Sequence, residues 1–193
     1  MENSTIFCSI DAAKGSSTVG TVGAAGLIGL YRRRAQLDSD ILAASLLQHE
    51  IPCESVWLVE LLPVVFVAWS DGVLSAKKRA VILEAAIGEG LKNCSAGLAL
   101  LESWLDDRPR EGLRLIWDMY MRDVCKKVTV FDLEVFVKRL NHLMARVAAE
   151  EVLGPGGSGR VSAAALEQIG LFKNGLEKFT GSAYGARQCS GKS

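Results

Sequence analysis

The end of an apolar helix, a tight turn and the start of a second helix follow one another in Val67-Ala68-Trp69-Ser70-Asp71-Gly72-Val73-Leu74-Ser75-Ala76-Lys77-Lys78. Glycine supplies the positive φ that a tight turn needs, and an aspartate before it can bond to its own backbone, so Asp71-Gly72 marks the turn. Ser75 is a preferred N-cap residue. The stretch therefore predicts two consecutive helices joined by a short turn.

The chain beyond Arg34 is typical of helices, because apolar residues recur at helical spacing while period-two alternation is missing. Helices are predicted from about 39 to 49, 51 to 69, 75 to 88 or 90, 93 or 95 to 105, 113 to 124, 129 to 147 and 162 to 179. Hydrophobic residues make up 49% of the 193 residues, which is enough for a core. We predict an all-α fold: a compact bundle of six helices from about 36 to 152, and a seventh beyond a linker.

Two of these helices are expected to define the core. Residues 56–69 are apolar except for Glu60, so this helix should be buried and central, with a kink at Pro63, which lacks a backbone donor. The helix that starts at Thr129 has an unbroken apolar stripe at helical spacing. The stripe comprises Leu133, Phe136, Val137, Leu140, Leu143, Met144 and Val147.

The two ends of the chain and one internal segment differ in composition from the helices. Residues 1–35 form a Gly-rich leader, and the glycine cluster within 153–160 predicts a linker. An amphipathic C-terminal helix is predicted over 161–180, followed by a disordered tail over 181–193.

The leader contains 17 uncharged residues, from Gly15 to Tyr31, followed by Arg32-Arg33-Arg34. Its serines, threonines and glycines favour a flexible segment. The alternative is a short membrane-associated helix across residues 15–34, in which small residues pack closely and the arginines keep the rest of the chain in the cytoplasm.

The charge and cysteine content exclude several classes of function. Lys+Arg and Asp+Glu both number 22, so the chain lacks the strong positive field that nucleic-acid binding requires. The five cysteines form no CxxC pair, which is typical of reduced thiols in a cytoplasmic protein. With two histidines, a His-rich zinc site is not expected.

The Trp69-Ser70-Asp71-Gly72 turn, followed by Ser75, resembles the Trp-Ala-Asp-Gly turn of TerB-like domains, an all-helical family named after a tellurite-resistance protein. The resemblance covers roughly residues 55–149. It implies a non-catalytic module for stress response and protein interaction. TerB-like domains have a proposed acidic surface that binds cations, and the resemblance implies such a surface here. A glutamate of that surface corresponds in position to Lys78 of this chain.

Three candidate sites emerge. Asp71 is the candidate metal ligand, but a lysine at position 78 cannot ligate a metal, so neither a metal nor another cofactor is expected. Lys77, Lys78 and Arg79 form a predicted contact patch, because three cations in a first helical turn oppose the macrodipole and invite an anion. That anion could be Asp71, the pair at 106–107, an acidic partner or a phosphate.

The third candidate is Glu60, a carboxylate within an apolar helix, whose pKa should be raised unless an arginine from a neighbouring helix pairs with it. No nucleophile elbow, P-loop, dinucleotide fingerprint or HExxH motif occurs, so we do not expect an enzyme. The sequence thus favours an interaction module with an unidentified partner protein. A divalent-cation-binding protein and a membrane-tethered adaptor are the alternatives.

Overall fold

A computed structural model describes residues 24–150 and 161–190, which contain eight α-helices and two 3-10 helices and no strand. The α-helices are α1 (Ala24–Arg34), α2 (Asp40–Gln48), α3 (Leu62–Ala68), α4 (Ala76–Gly88), α5 (Ser95–Asp106), α6 (Gly112–Val124), α7 (Val130–Ala149) and α8 (Ala163–Ser190). The 3-10 helices are Cys53–Leu61 and Leu91–Asn93. The predicted all-α class is therefore confirmed for the described residues.

The central segment is divided where the sequence predicted one kinked helix. Residues 53–61 form a 3-10 helix, and α3 begins only at Leu62, with Pro63 in its first turn. A proline ring clashes with the carbonyl four residues earlier and offers no N–H, so an α-helix does not run through Pro63 from 56 onwards. Every residue of α3 is buried, as the apolar composition predicts.

α3 lies at the centre of the bundle, where it contacts α4, α6, α7 and α8. The apolar stripe of α7 faces this core, and all of its members are buried except Val137, which is half-buried. The predicted core face of α7 is confirmed.

The folded domain begins earlier than residue 36. Residues 24–34, placed in the flexible leader by the sequence analysis, form α1, and the Tyr31 hydroxyl donates a hydrogen bond of 2.7 Å to the carbonyl of Ile51. Ile28 and Tyr31, three residues apart, pack against the core. These apolar residues outweigh the glycines of the segment. Residues 1–23 of the predicted leader lie outside the described residues.

The C-terminal helix is longer than predicted. α8 continues to Ser190, so the prediction of a disordered tail from residue 181 is wrong for 181–190. No proline interrupts this stretch, and a glycine costs a helix only about 1 kcal/mol relative to alanine, so a helix already formed can continue through it. The predicted linker over 153–160 lies outside the described residues.

The N-cap of α5 lies between the two predicted starts at 93 and 95. Cys94 is the cap, because its Sγ accepts a hydrogen bond of 3.3 Å from the backbone N–H of Gly97. Cys53, Cys94 and Cys125 are free thiols.

Candidate functional site

The turn between α3 and α4 has the geometry that its sequence predicts. Gly72 has a φ of 79°, and its N–H donates to the Trp69 carbonyl at 2.9 Å. The Trp69 indole N–H donates to the Trp104 carbonyl at 2.9 Å, which ties the turn to α5. Ser75 caps α4, since its Oγ accepts a hydrogen bond from the N–H of Lys78 at 3.2 Å.

Lys78 is the unexpected element of this turn, because its side chain is fully buried. The ammonium Nζ donates to the Ala68 carbonyl at 3.2 Å and lies 3.5 Å from Oδ2 of Asp71. It thereby meets the negative end of α3 and the carboxylate of the turn together. The cation beside Asp71 is the chain's own lysine.

The three cations predicted as one contact patch do not share a surface. Lys77 is exposed, Lys78 is buried, and Arg79 forms an ion pair of 2.5 Å with Asp106. Successive residues of a helix point about 100° apart, so neighbours in sequence lie on different faces. The prediction of a patch is wrong for Lys78, and the anions near Lys78 and Arg79 come from the same chain.

Glu60 is a buried member of a polar cluster that joins four segments: the 3-10 helix 53–61, α6, α7 and the end of α4. The Tyr120 hydroxyl donates to its Oε1 at 3.0 Å, and Arg139 of α7 lies 3.6 Å from its Oε2. Arg139 also pairs with Glu89 at 2.6 Å. Burial raises the pKa of Glu60 to about 7, although the hydrogen bond from Tyr120 and the charge of Arg139 lower it, while Glu89 adds to the rise.

The raised pKa of Glu60 makes stability depend on pH. The folded state holds the proton up to about pH 7, whereas the unfolded chain releases it near the usual value. The contribution of protonated Glu60 to the free energy of unfolding is complete below the pKa that Glu60 has in the unfolded chain. It is lost as pH rises through the pKa that Glu60 has in the folded state. Native protein should therefore lose about 3 kcal/mol relative to Glu60→Gln between about pH 4 and 8. Urea unfolding at several pH values measures this difference, and parallel profiles for the two proteins would contradict it.

Two ion pairs define how α4 and α7 lie against each other. Arg139 pairs with Glu89 at 2.6 Å, and Arg146 pairs with Glu84 at 3.5 Å. From Arg139 to Arg146 the residue numbers of α7 rise by seven, while those of the paired glutamates fall by five, from Glu89 to Glu84. The two helices are antiparallel, and this row of pairs marks their shared edge.

The same two helices carry three exposed apolar side chains, Phe131 and Val135 on α7 and Ile87 on α4, which we call the α4–α7 ridge. Phe131 is 72% exposed, and Val135 and Ile87 are each 39% exposed. Phe131, Val135 and Arg139 follow one another at four-residue spacing along α7, and Ile87 lies three residues after Glu84 on α4. The sequence does not predict this ridge, because its signal on α7 is two apolar residues outside the apolar stripe.

Over residues 24–150 and 161–190, no group of three or more His, Cys, Asp or Glu side chains could hold a metal ion. In the same residues, no single helix is long and apolar enough to cross a membrane. One pair, Asp40–Gln48 with Cys53–Ala68, meets the length and composition together but is bent by 89°.

No protein-family model matches the chain, and no curated protein or solved structure is significantly similar to it. The resemblance of the turn around Asp71-Gly72 to TerB-like domains stays a prediction from the sequence. The ridge and the buried Lys78 are features of this chain itself.

Proposed function

We propose that this chain is a non-catalytic interaction module, similar to TerB-like domains and acting in a stress response, which binds a partner protein through the α4–α7 ridge. The observation that carries the proposal is the exposed aromatic ring of Phe131, with the partly exposed Val135 one turn later on the same helix. An exposed phenylalanine loses apolar hydration when a partner covers it, and aromatic side chains are enriched where binding energy concentrates.

The surroundings of the ridge support the same reading. Arg139, paired with Glu89, lies one turn after Val135 on α7. Glu84, paired with Arg146, lies one turn before Ile87 on α4. An apolar centre with a charged border is the arrangement of a protein interface, in which the border contributes orientation more than affinity. The partner should therefore present an apolar pocket with charged groups around it.

Affinity capture with matched variants tests the proposal. Phe131→Ser combined with Val135→Ser should reduce recovery of the partner at least about tenfold, which corresponds to about 1.4 kcal/mol of binding free energy. Leu115→Ser is the control, because Leu115 is 68% exposed on α6, outside the ridge. Both variants should keep native stability. A protein recovered equally by the ridge variant and the control would not be bound through this surface.

A further inference from the structure

The face of the bundle under α8 is an apolar groove with aromatic walls. Phe172 of α8 packs on Phe66 of α3 with ring centroids 5.9 Å apart, and on Trp117 of α6 at 5.0 Å in an edge-on geometry. Phe179, two turns later, meets Trp117 at 6.0 Å. Arg114 stacks over the rings of Phe66 and Phe172, with 4.4 and 5.0 Å from its guanidinium to their centroids.

α8 fits this groove incompletely. The indole N–H of Trp117, a residue that is 3% exposed, has no hydrogen-bond partner among the described residues, and neither has the side-chain carbonyl of Asn141 on α7. Buried polar groups without partners weaken a contact. A cavity of about 240 Å³ lies between α7 and α8, lined by Val137, Asn141, Lys173, Leu176 and Glu177.

α8 also carries a glycine, Gly170, that its packing does not require. A Cβ built on Gly170 would meet nothing within 4 Å, so no contact demands glycine at this position. Glycine inside a helix favours the unfolded segment over alanine. α8 also follows α1 to α7 in the chain, so it can leave the bundle without interrupting the connection between any two of them.

We propose that this groove is a helix-binding site, that α8 fills it in cis, and that an amphipathic helix of a partner protein can displace α8. The inference deepens the proposed interaction function and rests on it, but it concerns a second surface. The groove is a place where two helices compete.

The seat of α8 defines the chemistry of the partner helix. The partner helix carries two aromatic anchors seven residues apart, at the spacing of Phe172 and Phe179. Between them it carries a small residue, at the position where Gly175 lies against Trp117. It carries a polar side chain one turn before the first anchor, where Gln168 accepts a hydrogen bond from Arg114. An added acceptor for the Trp117 N–H would give it an advantage over α8.

A labelled peptide of residues 161–180, titrated with the full chain, tests the proposal. The native chain should bind it weakly, because its own α8 competes at the high effective concentration of a tethered segment. Phe172→Ala in the chain should raise the affinity at least about tenfold, since it loosens the cis helix. Gly170→Ala should lower it about two- to fivefold by stabilising the cis helix. Equal affinity for all three chains would overturn the proposal.

Hydrogen exchange keeps the test decisive if Phe172→Ala does not fold. In the native chain, amides of 163–179 should exchange faster than those of α3 and α7, and Gly170→Ala should slow them. Exchange of α8 in step with α3 and α7 would show that it opens only with global unfolding and would overturn the proposal. A stable native dimer in light scattering would instead place a second copy's α8 in the groove and overturn the cis arrangement.

These results are separable from the test of the ridge. Peptide binding does not involve the α4–α7 ridge, so it can fail while ridge-dependent capture of a partner succeeds. In that case the interaction function stands and only the groove assignment falls.

Discussion

Replacing Lys78 with glutamate should lower the free energy of unfolding by about 3–5 kcal/mol, the range for leaving an unpaired charge in a protein interior. Lys78 is fully buried, and its ammonium faces the Ala68 carbonyl and the Asp71 carboxylate. A carboxylate at this position would meet two negative groups in place of the cation that satisfies them. The end of α3 and the start of α4 would separate or repack.

Lys78→Met is the matched control, because methionine keeps most of the apolar stem and removes the charge. It should cost less, about 1–3 kcal/mol, for the Ala68 carbonyl left without its donor. Urea unfolding of both variants measures the difference. Equal stability of the glutamate and methionine variants would show that the position is not buried beside negative groups.

Divalent cations should distinguish the native turn from the glutamate variant. The native turn already holds an ammonium beside Asp71, so calcium, magnesium or manganese should leave its stability unchanged. In Lys78→Glu, two carboxylates and a carbonyl would face one another, and oxygen ligands suit these ions. The cation should restore part of the lost stability by binding the folded state. Tight binding to the native protein that Asp71→Asn abolishes would contradict this account.

Leu140→Ala should destabilise the protein by about 2–5 kcal/mol, the range for deleting a buried leucine side chain. Leu140 is 3% exposed at the middle of the core face of α7, the helix that packs against α3, α4 and α8. The neighbouring elements restrict collapse around the deleted atoms, so a cavity should remain.

Lys138→Ala serves as the control for this helix, because Lys138 is exposed two residues away. Its effect should stay within about 0.5 kcal/mol, as for most surface substitutions. Thermal or urea unfolding of both variants gives the comparison. A loss below about half a kcal/mol for Leu140→Ala would mean that this face of α7 is not part of the core.

The features that the sequence predicts correctly depend on neighbours in the chain. The core face of α7 follows from apolar spacing at three and four residues, and the start of α4 follows from Ser75, whose hydroxyl reaches an N–H three residues on. The turn at Asp71-Gly72 needs only the positive φ of Gly72. Each of these features depends on residues that lie within one or two helical turns of one another, so the sequence alone predicts it.

The features that the sequence does not predict depend on residues brought together by the fold. Lys77, Lys78 and Arg79 are three consecutive cations that the sequence does not distinguish. In the fold, Lys78 is the one whose side chain reaches the end of α3. α1 forms because Tyr31 meets the segment around Ile51, 20 residues away. The sequence predicts that an arginine from a neighbouring helix pairs with Glu60. Only the fold shows that this arginine is Arg139.

The sequence does not predict the two proposed interaction surfaces, for the same reason. The exposure of Phe131 and Val135 depends on α7 packing its opposite face against α3, α4 and α8. Phe131 and Val135 by themselves are two apolar residues near a helix start. Their exposure becomes informative only when the neighbouring helix is known to leave them uncovered.

Site-specific photo-crosslinking in cells tests most directly whether this protein binds a partner through the ridge. A photoreactive phenylalanine analogue replaces Phe131 in one protein and Leu115 in the other, two positions of similar exposure on different faces. The account predicts a discrete crosslinked protein from position 131 that is absent from position 115. No adduct at position 131, or the same adduct from both positions, would contradict the account.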